Sequence, residues 1–125
     1  MPNRPLDLVL GSASPRRKTL LADAGLDFHV LPADVDESFE PTLAAADAAV
    51  MLAERKAYGT LALAARKLPG ERPWIIGGDT LVVLGKDQDP KAPSAPPSFL
   101  GKPRDEREAL SMLARLSGTT HRVVT

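Results

Sequence analysis

The stretch Gly11-Ser12-Ala13-Ser14-Pro15-Arg16-Arg17 separates an apolar run at residues 6–10 from a helical pattern at residues 18–24. Ser14 is a good N-cap, and Pro15 would occupy the first helical position, where the missing backbone N–H costs no hydrogen bond. Gly25 lies where a left-handed C-cap of the same helix is expected. The stretch therefore predicts a strand, a short turn and a helix in succession. This order is typical of the start of an α/β fold.

The same turn is a candidate phosphate site. Backbone N–H groups at the start of a helix point outward, where the helix dipole also favours negative charge. Arg16 and Arg17 add two guanidinium groups, which match phosphate oxygens in geometry and charge. A solvated arginine pair on an ordinary helix start is the alternative, and the turn alone does not decide between the two interpretations.

The amino-acid composition limits the kinds of partner and the cellular compartment that we expect for this protein. The 125 residues include 16 Lys or Arg and 16 Asp or Glu, and this balanced charge argues against nucleic acid or an anionic membrane as a partner. The sequence has no cysteine, which excludes disulfides and thiolate metal sites and fits a reducing compartment. The apolar run near the N-terminus is too short for a signal sequence or a membrane span. We therefore expect a cytoplasmic protein.

Strand and helix patterns alternate along the rest of the chain. Strands are predicted at residues 28–31, 74–76, 81–84, 99–100 and 120–125, and helices at 42–68 and between Asp105 and Gly118. Asp105 and Glu108 resemble a capping box at the start of the last helix. The expected buried faces are Leu20, Leu21 and Ala24, then Val50, Ala53, Ala57, Leu61 and Ala64, and finally Ala109, Met112, Leu113 and Leu116. Residues 85–98 are rich in Pro and poor in apolar side chains, which predicts a flexible insertion within a β-hairpin. We expect one domain over residues 1–125.

Charged residues outside the first turn allow two interpretations each. Residues 33–41 carry four carboxylates without a helical period, which predicts either a solvated acidic loop or a partner of the anion site through a divalent cation. Asp79 follows two glycines between two apolar strands, where it would cap a turn or act as a general base or metal ligand. Lys56 lies near the edge of the apolar stripe of the long helix, where a lysine usually extends its ammonium into water. Its neighbour Arg55 is expected to be solvated.

Several short motifs occur together in a fixed order. They are Ser12-Ala13-Ser14-Pro15-Arg16-Arg17, Asp36-Glu37, Leu52-Ala53 with Lys56-Ala57, Gly78-Asp79-Thr80, Gly101-Lys102-Pro103, and Met112-Leu113 with Leu116-Ser117-Gly118. With this set the sequence resembles the Maf family of nucleoside triphosphate pyrophosphatases, whose fold is related to that of the inosine triphosphatases. The resemblance implies a mixed sheet flanked by helices.

The resemblance covers about the first three-fifths of family members, which continue with further strands and a Gly-rich segment that helps to read the base. It therefore implies a fold truncated before the C-terminal strands, with apolar surface and an unpaired strand edge. Three outcomes are open for such an edge: aggregation, a homodimer, or a complementary polypeptide.

The reaction implied by the resemblance is hydrolysis of a nucleoside triphosphate between its α and β phosphates, with Mg²⁺ or Mn²⁺ as cofactor. Asp79 would accept the proton of the attacking water and share the metal with Glu37. The residues implied to hold phosphates are Ser12, Arg17, Lys56 and Lys102. Such chemistry depends mainly on positioning and on neutralising charge, which these residue types provide.

Arg16 and Thr80 match the branch of the family that acts on dTTP and UTP better than the branch that acts on 7-methyl-GTP. The resemblance therefore implies a substrate of the dTTP and UTP class, modified nucleotides included. A catalytically inactive protein that binds a nucleotide or a partner is the alternative. A nucleic-acid binder fits the balanced charge and the few aromatic residues poorly.

Overall fold

The computed structural model describes residues 8–67, 72–84 and 98–125. Within them the element order is β1 (Leu8–Leu10), α1 (Pro15–Asp23), β2 (His29–Val30), α2 (Ala45–Lys67), β3 (Trp74–Ile76), β4 (Leu81–Leu84), β5 (Ser98–Leu100), α3 (Glu106–Leu116) and β6 (Arg122–Val124). The predicted α/β class is confirmed. Residues 6–7 of the first predicted strand and residues 85–97 of the predicted insertion lie outside the described residues.

The chain divides into two compact units. One contains the residues up to Glu37 together with Val50–Asp79, and the other contains Ser38–Ala49 together with the residues from Thr80 onward. Each unit has a three-stranded sheet of its own, one parallel and one antiparallel. The single domain over residues 1–125 stays a prediction.

The sheet of the first unit has β1 at its centre, between β2 and β3, and both pairings are parallel. Val9 lies opposite His29 on one side and Ile75 on the other. Val9 and Leu10 are buried, as expected for a central strand of a parallel sheet. Parallel neighbours require a crossover connection, which α1 supplies between β1 and β2 and α2 supplies between β2 and β3.

Both ends of α1 form as the sequence predicts. The Ser14 side chain accepts a hydrogen bond from the backbone N–H of Arg17 at 3.4 Å. Gly25 has a φ of 78°, and the N–H of Leu26 donates to the carbonyl of Leu21 at 3.2 Å, which closes a Schellman motif.

The predicted buried side of α1 is wrong. Leu20 is 68% exposed, Ala24 is exposed, and Leu21 is half-buried. Leu20 and Leu21 are consecutive and therefore point about 100° apart on a helix. Because only one side of α1 is packed, only Leu21 of the two leucines is partly buried.

The long helix α2 has a different buried stripe from the predicted one. Val50 and Leu61 are exposed, whereas Leu52 and Thr60 are buried together with Ala64. Apolar side chains surround most of this Ala-rich helix, so their spacing does not determine which side faces the sheet. None of the described helices is both long enough and apolar enough to cross a membrane.

In the sheet of the second unit, β4 lies between β5 and β6, and both pairings are antiparallel. Val82 lies opposite Leu100 and Val123, and Val83 and Leu84 are buried. The antiparallel pairing of β4 with β5 is the pairing expected of the predicted hairpin. Ser98 belongs to β5 and not to the predicted insertion.

Helix α3 begins at its predicted cap, where the Asp105 carboxylate accepts a hydrogen bond from the N–H of Glu108 at 2.7 Å. Its predicted buried side is only partly correct. Ala109, Met112 and Leu116 are half-buried, but Leu113 is 62% exposed. Leu113 follows Met112 directly, so the two side chains cannot lie equally deep on one face.

Candidate active site

Two turns meet at one edge of the parallel sheet. β1 and β3 are parallel neighbours, so the turns at residues 11–14 and 77–79 leave the sheet at the same edge. The backbone N–H of Gly11 donates to the carbonyl of Ile76 at 2.8 Å and joins the starts of these turns. In the sheet, β2 lies on one side of β1 and β3 lies on the other, so the strand order reverses between β1 and β3. Ligands of open α/β sheets bind outside the carboxyl ends of strands at such a switch in strand order.

Ser12 and Arg17 are in contact within the first turn. Ser12 is buried, and its Oγ accepts hydrogen bonds from the N–H of Ser14 at 3.1 Å and from Arg17 Nη1 at 3.4 Å. The guanidinium of Arg17 also lies against the second turn, because a Cβ built on Gly78 would be 3.2 Å from Arg17 Nε. Arg17 therefore contacts both turns and lies beside the residue that precedes Asp79.

A lysine from α2 joins two carboxylates next to these turns. The Nζ of Lys56 lies 2.7 Å from Oδ1 of Asp79 and 3.0 Å from Oε1 of Glu37. The side chains of Lys56 and Asp79 are 17% and 15% exposed, whereas that of Glu37 is 65% exposed. Lys56 lies one helical turn from both Leu52 and Thr60, on the buried stripe of α2, and is not an ordinary solvated lysine.

The ion pairs determine the protonation of Lys56. Burial alone lowers the pKa of this lysine, but the hydrogen bonds with Asp79 and then Glu37, together with the negative charge of both, outweigh burial. The pKa of Lys56 is therefore raised above its ordinary value of 10.5, and the ammonium is charged at neutral pH.

This raised pKa predicts a loss of stability in strong alkali. Below pH 10.5 Lys56 is charged in the folded and the unfolded chain, so the stabilisation is fully present. As the pH rises above 10.5 and through the raised pKa, the folded state loses its proton and that stabilisation disappears. We expect the free energy of unfolding, measured in urea, to fall more steeply with pH in this range for the natural chain than for Lys56→Met. Equal slopes for the two proteins would contradict the prediction.

The carboxylates of Asp79 and Glu37 suit a hard divalent cation. One oxygen of each carboxylate lies within 3.0 Å of the Lys56 ammonium. Carboxylate oxygens are also the ligands that Mg²⁺ prefers. Mg²⁺ commonly uses one or two carboxylates and completes its shell with water and substrate phosphates. Residues 8–67, 72–84 and 98–125 contain no group of three or more His, Cys, Asp or Glu side chains arranged for a metal. A cation held by Asp79 and Glu37 would therefore need water or phosphate oxygens to complete its shell.

The two glycines of the second turn have different neighbours, which predicts different effects of adding a methyl group. A Cβ on Gly77 would lie 2.6 Å from the carbonyl oxygen of Ala53 and 2.9 Å from Cβ of Ala57, so α2 itself would have to move. We expect Gly77→Ala to lower the free energy of unfolding by about 1–3 kcal/mol. Gly78→Ala is the matched control, because the nearest atoms to its Cβ, at 3.2 Å or more, belong to the Arg17 side chain and not to backbone, and it should cost less than about 1 kcal/mol. Urea unfolding of both variants tests this, and equal losses would contradict it.

For three further residues predicted for the site, Arg16, Thr80 and Lys102, the role stays a prediction. Arg16 lies in the first turn of α1 and is exposed. Thr80 and Lys102 belong to the second unit, where Lys102 is exposed after β5. The hydroxyls of Thr80 and Thr125 lie 2.9 Å apart, next to the cross-strand pair of Leu81 and Val124. The structure thus groups Ser12, Arg17, Glu37, Lys56 and Asp79 within the first unit.

Sequence reasoning missed two polar residues of α2. Arg55, expected to be solvated, donates from Nη1 to the carbonyl of Asp36 at 2.9 Å. Thr60 is buried, and its hydroxyl donates to the carbonyl of Leu31 at 2.9 Å. A lone Thr within an apolar helical stretch was a usable signal for the second contact. The partner of Arg55 is a backbone carbonyl, and a pattern of side chains cannot reveal such a contact.

The chain is similar to known proteins over most of its length. A family model described as Maf-like protein matches residues 7–125. The chain is 43% identical over 118 residues to a dTTP/UTP pyrophosphatase of Geobacter sulfurreducens, with 94% of this chain and 53% of the relative covered. A dTTP/UTP pyrophosphatase of Acetivibrio thermocellus is 41% identical over 119 residues, with 94% and 54% covered. One from Hahella chejuensis is 44% identical over 120 residues, with 94% and 52% covered.

The chain spans about half the length of these curated relatives. The match of the family model nevertheless extends over almost all of this chain, through the two turns, the acidic loop and the lysine of α2. The chain therefore belongs to the Maf-like protein family.

Proposed function

We propose that this chain acts as a nucleoside triphosphate pyrophosphatase on dTTP and UTP, releasing the monophosphate and pyrophosphate. The observation that carries the proposal is the cluster of Lys56, Asp79 and Glu37 beside the turn of Ser12 and Arg17. It combines a carboxylate with cationic groups that suit phosphates. The names of the relatives supply the substrate class, since all three relatives described above are dTTP/UTP pyrophosphatases.

Asp79 is the proton acceptor of the proposed reaction. Water adds across the phosphoanhydride bond between the α and β phosphates, so its oxygen joins one phosphorus and the bridging oxygen leaves with the other. The carboxylate of Asp79 takes the proton released by this water. Its fixed position supports the role, because Lys56 holds Oδ1 at 2.7 Å and the side chain is only 15% exposed.

The phosphates are proposed to lie against Ser12, Arg17, Lys56 and Lys102. Arg17 is the best supported of these residues, because its guanidinium donates to Ser12 and lies against Gly78, at the edge where the two turns meet. A guanidinium fixed in advance loses little side-chain entropy when it binds an anion. Lys56, on helix α2, supplies the second positive charge.

A divalent cation is part of the proposal because the local charges cancel. Asp79 and Glu37 offset Lys56 and Arg17, so a polyanionic triphosphate would find little net attraction at these four side chains. Asp79 and Glu37 would hold Mg²⁺ or Mn²⁺ together with the substrate. When bound, the cation neutralises phosphate charge and polarises the phosphorus–oxygen bonds.

The base preference is proposed to depend on Arg16 and Thr80. Arg16 is exposed at the start of α1, and Thr80 follows Asp79 directly in sequence. The hydroxyl of Thr125 at 2.9 Å restricts how the Thr80 side chain can turn. Cytoplasmic location and pairing with a second copy stay predictions.

A substrate screen on the purified chain tests the proposal. Pyrophosphate release is measured with dTTP, UTP and 7-methyl-GTP, each with Mg²⁺, with Mn²⁺ and with a chelator. We expect release from dTTP and UTP that depends on the cation, and little from 7-methyl-GTP. Calorimetry on the same samples separates the alternative, because a nucleotide-binding protein without catalysis would bind dTTP but release no pyrophosphate over hours.

A further inference from the structure

Glu37 is the most loosely supported member of the site. It lies in residues 31–40, which form neither helix nor strand, and its side chain is 65% exposed. An ion pair at such exposure contributes at most about 1 kcal/mol, which is of the same order as the entropy lost when one residue is ordered. The contact with Lys56 alone is therefore too weak to keep this carboxylate beside Asp79.

Arg55 provides a second attachment for the same loop. Its Nη1 donates to the carbonyl of Asp36 at 2.9 Å, which fixes the backbone one residue before Glu37. Its Nη2 lies 3.6 Å from the sulfur of Met51, one helical turn earlier, and this contact orients the guanidinium along α2. A hydrogen bond from a charged donor is worth more than a neutral one, so this bond at the surface adds to the weak ion pair of Glu37.

Gly59 allows the loop to approach the helix at the same place. A Cβ built on Gly59 would lie 2.8 Å from Cγ1 of Val35 and 2.9 Å from Cβ of Ala33. Gly59 is one helical turn beyond Arg55, so both residues face the loop along one side of α2. Residues 33–37 thus contact α2 through backbone, apolar and ionic contacts, of which only the last involves the site.

We propose that Arg55 is a positioning residue for the metal-binding carboxylate of Glu37. It acts through the backbone of Asp36 and touches neither substrate nor metal. Its effect is to keep Glu37 and Asp79 close enough to bind one divalent cation together. The proposal rests on the proposed function in one respect, the assignment of these two carboxylates to the cation.

The test measures Mn²⁺ binding to the full chain without nucleotide, by electron paramagnetic resonance. We expect Arg55→Met to weaken Mn²⁺ binding about 10-fold or more, the effect typical of residues that orient metal ligands. Arg55→Lys keeps the charge and one donor and should recover part of the loss. Arg66→Met is the matched control, since it removes an exposed cation from the same helix and should leave binding unchanged. Gly59→Ala disturbs the same contact without changing charge and should also weaken binding.

A second measurement separates positioning from a general loss of structure. The ¹⁵N heteronuclear NOE of the Glu37 amide should fall in Arg55→Met, while the NOE values within β1 and α2 stay at their natural level. In a double variant with Glu37→Gln, Arg55→Met should cause no further loss of Mn²⁺ affinity, because the ligand it positions is absent.

The failures are distinguishable. If the natural chain binds no Mn²⁺, the assignment of the cation to Glu37 and Asp79 fails, and the role of Arg55 fails with it. If the natural chain binds Mn²⁺ and Arg55→Met binds it equally well, with an unchanged Glu37 NOE, only the role of Arg55 is overturned.

Discussion

Asp79→Asn should release pyrophosphate from dTTP at a rate about 10²–10⁴-fold below that of the natural chain, the range typical for loss of a general base. The substitution keeps the size of the side chain and an oxygen for Lys56, but an amide accepts no proton from water. The loss should therefore appear in kcat, with a much smaller change in KM.

The control for this experiment is Asp27→Asn, which removes an exposed carboxylate of the same unit and should not affect the rate. Calorimetry should show that Asp79→Asn still binds dTTP. A rate close to that of the natural chain would remove Asp79 from the mechanism, whatever the other residues do.

Lys56→Met is the second change with a large expected effect. It leaves Asp79, at 15% exposure, beside Glu37 without the ammonium that pairs with both. Breaking a fully buried pair costs about 3–5 kcal/mol, and the partial exposure of this cluster reduces the expected loss in the free energy of unfolding to about 2 kcal/mol. Urea unfolding at neutral pH measures it.

Two further variants identify the cause of that loss. Lys67→Met removes an exposed lysine at the end of α2 and should change the free energy of unfolding by less than about 0.5 kcal/mol. Lys56→Met combined with Asp79→Asn should be more stable than Lys56→Met alone, because the uncompensated carboxylate is gone. If the double variant is less stable than Lys56→Met, the cost comes from lost packing of the lysine stem and not from charge.

Local signals predicted the parts of this fold that depend on neighbours in sequence. Ser14, Gly25 and Asp105 cap helices where the sequence places them, since a cap contacts residues within one helical turn. The strands Trp74–Ile76 and Leu81–Leu84 have the predicted bounds, because glycines or prolines flank their apolar runs. Burial depends instead on tertiary packing, and the sequence misplaced Leu20, Val50 and Leu113.

The candidate site likewise has one part that depends on local sequence and one part that depends on tertiary packing. The proposed anion site at Ser12 and Arg17 could be predicted from a strand, a small-residue turn and a helix start. The meeting of Lys56 with Asp79 and Glu37 depends on the parallel pairing of β1 with β3 and on the side of α2 that faces it, neither of which the local pattern determines. The family resemblance supplied those residues. It gave no indication of Arg55, whose partner is a backbone carbonyl.

The pairing of β1 with β3 also determines when the site can exist during synthesis on the ribosome. Lys56 leaves the exit tunnel before Asp79, and the turn of Ser12 precedes both, so a nascent chain carries Ser12, Arg17, Glu37 and Lys56 before it carries Asp79. Only when Trp74–Ile76 joins the far side of β1 is the carboxylate brought to the lysine. Assembly of the site is thus tied to the contact of longest sequence separation in this sheet, the kind of contact that forms slowly in folding chains.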